Sequence, residues 1–379
     1  MKNFYPDQYA SDQIYGINHN YLKEQFEDYE LIFEKLKNVV KNSDFTLGSQ
    51  VDELEKAIAK EANTKFAIGV GSGTDAIRLS LKAIGVGIGD EVITPSYTFY
   101  ATVGAIATTG AKPVLVDICE DYNINPKEVE KKITKKTKAI VPVHWSGRPC
   151  DMDALKEISK SFDIPIVEDA CHALQAEYFK KRCGSFGLTG CFSFHPLKNL
   201  NVWGDGGIIC TDDEELNLKL RLIRNHGLIN RNTCIEYGYN SRLDTIQAVI
   251  AKYVLDNKLE NITNRRRKNA EFLDRNLKDV DFIKLVERDK NLKEVHHLYM
   301  FSTNKRDQIV EHLNKNNIDA KIHYPIPMHL QPASKKYNYN YSDFPISEKL
   351  ANSTVSIPVH EFITSDDLNK IVKTVKSFK

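Results

Sequence analysis

No CxxC pair occurs in this 379-residue chain, and its seven cysteines (Cys119, Cys150, Cys171, Cys183, Cys191, Cys210 and Cys234) are odd in number and scattered. That argues against a disulfide framework or a paired-cysteine metal site, so the thiols read as reduced groups of a cytoplasmic protein and no metal is expected. The opening MKNFYPDQYASDQ lacks the apolar core of a leader, and no apolar run approaches the about 20 residues of a membrane span. No membrane association is therefore expected. Charge of one sign is also missing: Lys plus Arg total 52 against 51 for Asp plus Glu, with no long basic run. A surface that coats nucleic acid is excluded, although an anionic substrate could still be met locally. The dinucleotide fingerprint GxGxxG is absent too, because GVGSGTDA departs from it and follows a long helical N-terminus, which disfavours a nicotinamide oxidoreductase. Internal repeats and low-complexity segments are not seen.

What is present is ordinary globular composition, 41% hydrophobic and 27% charged. The length calls for a large domain and a smaller one, with the boundary near Leu255: residues 1–255 and 256–379. From Asn20 to Asn42, Leu22, Phe26, Tyr29, Phe33, Leu36 and Val39 recur three or four apart and predict one amphipathic helix. Short apolar strands are predicted at Phe66–Val70, Glu91–Thr94, Lys112–Asp117, Ala139–Val143 and Pro165–Asp169, alternating with helical patterns that include Pro126–Ile133 and Met152–Phe162. Such β-α-β alternation predicts an α/β fold with a doubly wound, mostly parallel sheet, whose ligands gather beyond the C-terminal strand ends. Further strands are expected at Cys191–Phe194 and Gly207–Thr211, and a long helix at Leu243–Leu259. A small α/β cap follows, with strands at Leu298–Ser302, Ala320–His323 and Thr354–Ile357.

Chemistry concentrates between Val167 and Gly207. Asp169 ends an apolar strand in VEDACHALQA, and Lys198 sits in a turn of CFSFHPLKNLNVWGDGG between two further strands. A carboxylate keeps a pyridine nitrogen protonated and a lysine forms a Schiff base, so the pair suits pyridoxal phosphate (PLP). Either residue alone reads as a helix-capping acid or a surface lysine. In GVGSGTDAIRLSLKAIG a strand runs into a helix start where backbone N–H groups and the hydroxyls of Ser72 and Thr74 could hold a phosphate; an ordinary capped glycine turn fits as well. Phe99 could lie flat on a pyridine ring, and His172 could reach its phenolic oxygen.

The motifs GSGTDAI, PSYTFYAT, VEDACHALQA, FSFHPLKNLNVWGDGG, YGYNSRLDTIQA and IHYPIPMHLQPA, in this order from Leu47 to the C-terminus, resemble the PLP-dependent sugar aminotransferases of the DegT/StrS family. The resemblance implies a type I aspartate-aminotransferase-like fold and a homodimer with active sites at the subunit interface. By it, Lys198 binds the cofactor covalently, Asp169 faces the pyridine nitrogen, Phe99 stacks on the ring and His172 lies near the phenolic oxygen. Ser72, Gly73, Thr74 and Ser193 would hold the phosphate, with Asn240 reaching it from the neighbouring subunit. Gly204–Gly207, His323, Tyr324 and His329 would line the sugar pocket, as would His195, where relatives often carry tyrosine. Glutamate would convert PLP to pyridoxamine phosphate, which then aminates a keto group of a nucleotide-diphospho-sugar. GDGG and HYPIPMHLQ resemble the subgroup that aminates carbon 3, with a 4-keto sugar as the alternative. Related sugar dehydratases carry histidine in place of the lysine, so Lys198 favours transamination.

Overall fold

The computed structural model describes residues 15–378; the MKNFYPDQYASDQ segment lies outside the described residues. The central strands are β1 (Phe66–Val70), β2 (Glu91–Pro95), β3 (Lys112–Val116), β4 (Thr137–Ile140), β5 (Val167–Asp169), β6 (Thr189–Ser193) and β7 (Gly207–Thr211). They form two hydrogen-bonded groups, β3-β2-β4 and β5-β6-β7-β1, joined by parallel bridges from Ile140 to Ile166 and from Val143 to Asp169. All run parallel except β7, which is antiparallel to both neighbours.

Successive residues of a strand point to opposite faces, and here both faces are buried. Ala67, Phe192, Ile208 and Cys210 pack on α3 (Ser49–Ala62) and α9 (Thr245–Asn257). Their neighbours Ile68, Cys191 and Ile209 pack instead on α4 (Gly73–Ala83) and α8 (Glu214–Ile223). The strands are accordingly apolar at nearly every position, as a sheet covered on both sides requires. Toward the other edge, Ile93, Val114, Val116 and Ile140 meet α6 (Pro126–Lys132) and α7 (Met152–Phe162).

The C-terminal unit is a three-stranded antiparallel sheet of Lys284–Leu285, β8 (Tyr299–Ser302) and β9 (Thr354–Ile357). Tyr299, Phe301, Val355 and Ile357 pack on α10 (Leu259–Leu277), α11 (Arg306–Lys315) and α12 (Ser365–Ser377). Met300, on the opposite face of β8, rests with Leu298 on Tyr97 and Trp145. The start of α10 (Leu259, Ile262) belongs to the first core and its end (Ala270, Leu273, Leu277) to the C-terminal one, so one helix ties the two together.

Two expectations change. The single helix from Asn20 to Asn42 is broken: a turn at Phe26–Asp28 separates α1 (Leu22–Gln25) from α2 (Tyr29–Asn42). Its buried face is Ile32 and Val39, while Tyr29, Leu31, Phe33 and Val40 stay exposed. The strand expected at Ala320–His323 does not form; only Lys321 pairs, with Ser356, because the flanking backbone is engaged elsewhere. The aromatic run Tyr97–Tyr100 is a turn leading into α5 (Tyr100–Ala107), with Phe99 as its N-cap. All seven cysteines are unpaired.

Candidate active site

Asp169 stands at the C-terminal end of β5, beside the junction of the two strand groups, and is 5% exposed. Its Oδ2 accepts the Thr102 hydroxyl at 2.8 Å and its Oδ1 the Cys171 N–H at 3.2 Å. Thr102 comes from α5, far away in sequence, and carried no local signal. Glu168, the preceding residue, points to the opposite face and is fully buried. There it accepts the N–H groups of Gly184 (2.7 Å), Phe186 (2.6 Å) and Gly187 (2.7 Å) and the Nε2 of His144 (2.8 Å). The His144 Nδ1 accepts the Cys150 N–H at 3.0 Å, so its proton sits on Nε2, facing the carboxylate.

Lys198 lies in the turn after β6, its N–H bonded to the His195 carbonyl at 2.8 Å. The amine is turned inward: burial holds it below the usual lysine range, with Cys171 and Asp169 pulling it back up. Its charge is felt in turn by His172, His195, His297 and His323, whose ionisations are all lowered, chiefly by burial. Lysine and carboxylate, distant in sequence, thus share one electrostatic environment. His172 lies tilted against His297, ring centroids 4.2 Å apart, and 5.3 Å from Trp145; its buried Nδ1 has no partner among the described residues. Trp145 contacts Tyr324 at 5.6 Å, and Tyr324 contacts Phe99 at 5.6 Å, giving an aromatic wall. The Tyr97 hydroxyl holds the backbone there, donating to the His323 carbonyl at 2.5 Å and accepting the Tyr324 N–H at 2.8 Å.

Below them α4 begins. Ser72 is its N-cap, accepting the Asp75 N–H at 3.0 Å, and the N–H groups of Gly73 and Thr74 have no carbonyl to receive them within the helix. A Cβ on Gly73 would lie 2.7 Å from the Ser193 Cβ and 2.8 Å from the Cys171 Sγ. One on Gly207 would meet the Ser72 carbonyl at 2.4 Å. Glycine at both places lets a strand end, a helix start and Ser193 close into a cup of donors suited to an anion.

Two expected site residues, Asn240 and His329, stand apart from this group, and His195 lies at its edge. Asn240 is exposed on this chain, next to Ser241, whose hydroxyl donates to Asp75 at 2.7 Å. His195 is half-buried, its Nδ1 taking the Leu197 N–H at 3.3 Å. His329 is 3% exposed and pairs with Glu348 at 2.9 Å, among Phe344 and Met328 rather than beside Lys198. Conversely, His297, Trp145 and Thr102 join the site although their local sequence offers no motif. Among the described residues no group of three His, Cys, Asp or Glu side chains is placed to hold a metal, and no helix is long and apolar enough to cross a membrane.

The residues present fit pyridoxal phosphate: an anion cup, an inward amine, a buried hydrogen-bonded carboxylate and a histidine with an orphan nitrogen lie together. Comparison with known proteins agrees. The chain is 40% identical to the pleiotropic regulatory protein of Geobacillus stearothermophilus, over 94% of this chain and 97% of that one. It is 37% identical to the dTDP-3-amino-3,6-dideoxy-alpha-D-galactopyranose transaminase of Aneurinibacillus thermoaerophilus, covering 96% and 97%. Among solved structures, S. venezuelae DesV in complex with a ketimine intermediate superposes with a TM-score of 0.92 at 35% identity, covering 95% and 97%. Other neighbours were solved with PLP or pyridoxamine phosphate bound. Residues 27–376 match the family profile, and the chain belongs to the DegT/DnrJ/EryC1/StrS aminotransferase family.

Proposed function

We propose that this protein is a PLP-dependent sugar aminotransferase that moves an amino group from glutamate to the keto group at carbon 3 of a nucleotide-diphospho-6-deoxy-sugar. The observation that carries the reading is the inward Lys198 amine sharing its surroundings with the buried carboxylate of Asp169, above the cup at the start of α4. When bound, pyridoxal phosphate supplies an aldehyde for an amine and a protonated ring that draws electrons from the substrate carbon. Ser72, Gly73, Thr74 and Ser193 would hold its phosphate, and Asp169, fixed by Thr102 and Cys171, would hold the proton on the ring nitrogen. The His172 Nδ1, without a partner among the described residues, would face the phenolic oxygen, and Phe99 with Tyr324 and Trp145 would keep water from the ring. Lys198, desolvated, gives up its proton more readily than a surface lysine, which suits it to carry a proton between donor and cofactor carbons.

The 3-keto preference is supported by GDGG, by HYPIPMHLQ and by the 3-amino-sugar name of the A. thermoaerophilus relative. One similar protein is named for regulation, but a ligand sensor has no need of both Lys198 and Asp169, and both are kept here. A homodimer is supported by the exposed apolar side chains of α2 and of the Leu228–Cys234 hairpin region, where Ile229, Ile235 and Tyr237 face outward. Asn240 would then serve the neighbouring subunit. The test is a panel of 3-keto and 4-keto nucleotide sugars offered with glutamate, with mass spectrometry of the products. Amination of only 4-keto sugars would overturn the assigned carbon, and no amino sugar from any of them the assigned substrate class.

A further inference from the structure

The chain before α2 runs as a strap between the Lys198 turn and the C-terminal unit. Its Ile17 exchanges backbone hydrogen bonds with Asn317 (3.0 Å) and Asp319 (2.9 Å), and the His19 N–H bonds Asp319 Oδ2 at 3.0 Å. Farther on, Tyr21 donates to the Leu197 carbonyl at 3.5 Å and Gln25 to the Pro196 carbonyl at 2.9 Å. His19 is thereby delivered to His323, ring centroids 5.3 Å apart. Each has a buried Nδ1 without a partner among the described residues. The charge of Lys321 bears on both rings, and that of Lys198 on His323.

We propose that His19 and His323, with Lys321 behind them, form the seat for a carboxylate of the amino donor. This rests on the reading of the protein as a glutamate-dependent aminotransferase. A donor whose amine lies at Lys198 must place its side-chain carboxylate within the length of one amino acid, so a group that recognises anions has to stand there. Arg266, whose charge reaches His297 and His360, is already spent on Glu361 (3.1 Å), the carbonyls of His296 (3.2 Å) and His297 (3.3 Å), and the Tyr21 hydroxyl.

A permanent guanidinium would also suit only one of the two substrates that share the pocket. Imidazoles can serve both. Facing the pair are Lys321, Lys198 and His360, which disfavour a proton, and Asp319, whose carboxylate takes the His19 N–H. With burial added, His323 is pushed down to about 4 and His19 well below its ordinary value, so both are neutral at pH 7 without ligand. An arriving carboxylate reverses that balance. A proton is taken from solvent onto an imidazole as the donor binds and returned when the keto acid leaves, restoring a neutral site for the sugar.

The test is calorimetric titration of the cofactor-loaded protein with glutarate, which has the carboxylates but no amine, at pH 7 in two buffers of different ionisation enthalpy. Net proton uptake is expected on binding. His19→Gln is expected to diminish that uptake and raise the glutarate Kd about tenfold, a loss of about 1.4 kcal/mol, while the bound cofactor keeps its wild-type affinity and absorbance. Lys321→Met is expected to weaken glutarate in the same direction. Glutarate binding without proton uptake by the wild type, or unchanged affinity in His19→Gln, overturns the proposal. If the wild type accepts no nitrogen from glutamate, the functional reading falls and this seat with it; a working wild type with an indifferent His19→Gln removes the seat alone.

Discussion

Replacing Asp169 with asparagine isolates the charge from the packing. The side chain is buried, and its oxygens accept one hydroxyl at 2.8 Å and one N–H at 3.2 Å. Asparagine fills the same space and keeps an oxygen for the Cys171 N–H, while the Thr102 hydroxyl can turn to accept from the new amide. The fold should therefore lose no more than about 1 kcal/mol. Function should lose far more. Two unit charges about 4 Å apart at an effective dielectric of about 20 attract by about 4 kcal/mol, and at about 1.4 kcal/mol per decade that is about a thousandfold in kcat/KM. The assay is single-turnover conversion of the bound cofactor by glutamate, followed by absorbance, beside a thermal melt. A second readout has a definite sign: Asp169 holds the Lys198 ionisation up against burial, so in the variant it should move to lower pH. A variant within tenfold of wild type, or an upward shift of Lys198, would falsify the role given to this carboxylate.

Lys198→Ala should abolish transamination while the cofactor stays bound through the cup; borohydride, which fixes a lysine-linked cofactor, should then leave none on the chain, and residual turnover at the wild-type rate would remove the lysine from the mechanism. Gly73→Ala should weaken cofactor binding about tenfold or more, because its methyl group intrudes on Ser193 and Cys171; fluorescence titration reads this directly, and unchanged affinity would mean the cup lies elsewhere. Thr102→Val leaves a lone pair of a buried carboxylate unmet and should cost about 1 to 3 kcal/mol in urea unfolding. Buried histidines also set an acid limit. His323 and His360 are held near 4 in the folded chain, whereas the unfolded chain protonates near 6.5. Their contribution is complete above pH 6.5 and drains away as the pH falls from there toward 4; the melting temperature should follow that slope, and His323→Asn should make it shallower.

Much of the frame was readable because strands buried on both faces are short and uniformly apolar: β1 and β7 fall at the expected residues, and β2, β3 and β5 within two of them. The break between α1 and α2 was hidden, because the three-to-four spacing of Leu22, Phe26 and Tyr29 continues through it; a tertiary contact, the Phe26 ring edge-on to Trp203, decides the path there. The segment at Ala320–His323 looked like a strand, but the Tyr97 hydroxyl takes the His323 carbonyl and the Asn314 side chain the Ala320 N–H, groups that a strand would have paired. Motif position also misled at His329, which sits close to His323 in sequence yet is claimed by Glu348. Thr102, His297 and His19 reach the site only through folding over long sequence separations, and no local pattern announces them.

Glu168 and Asp169 make the length of the connection before β5 critical. Adjacent acids on one strand do unrelated work, one welding the 184–187 loop to the scaffold, the other facing the pocket. Inserting a single amino acid just upstream would move Glu168 to the place of Asp169, offering the pocket an acid one methylene longer, and Val167 to the place of Glu168, leaving three amides and an imidazole with nothing to hold, while a deletion would turn Ala170 to the pocket. Evolution can therefore vary the composition of that connection but has little freedom over its residue count.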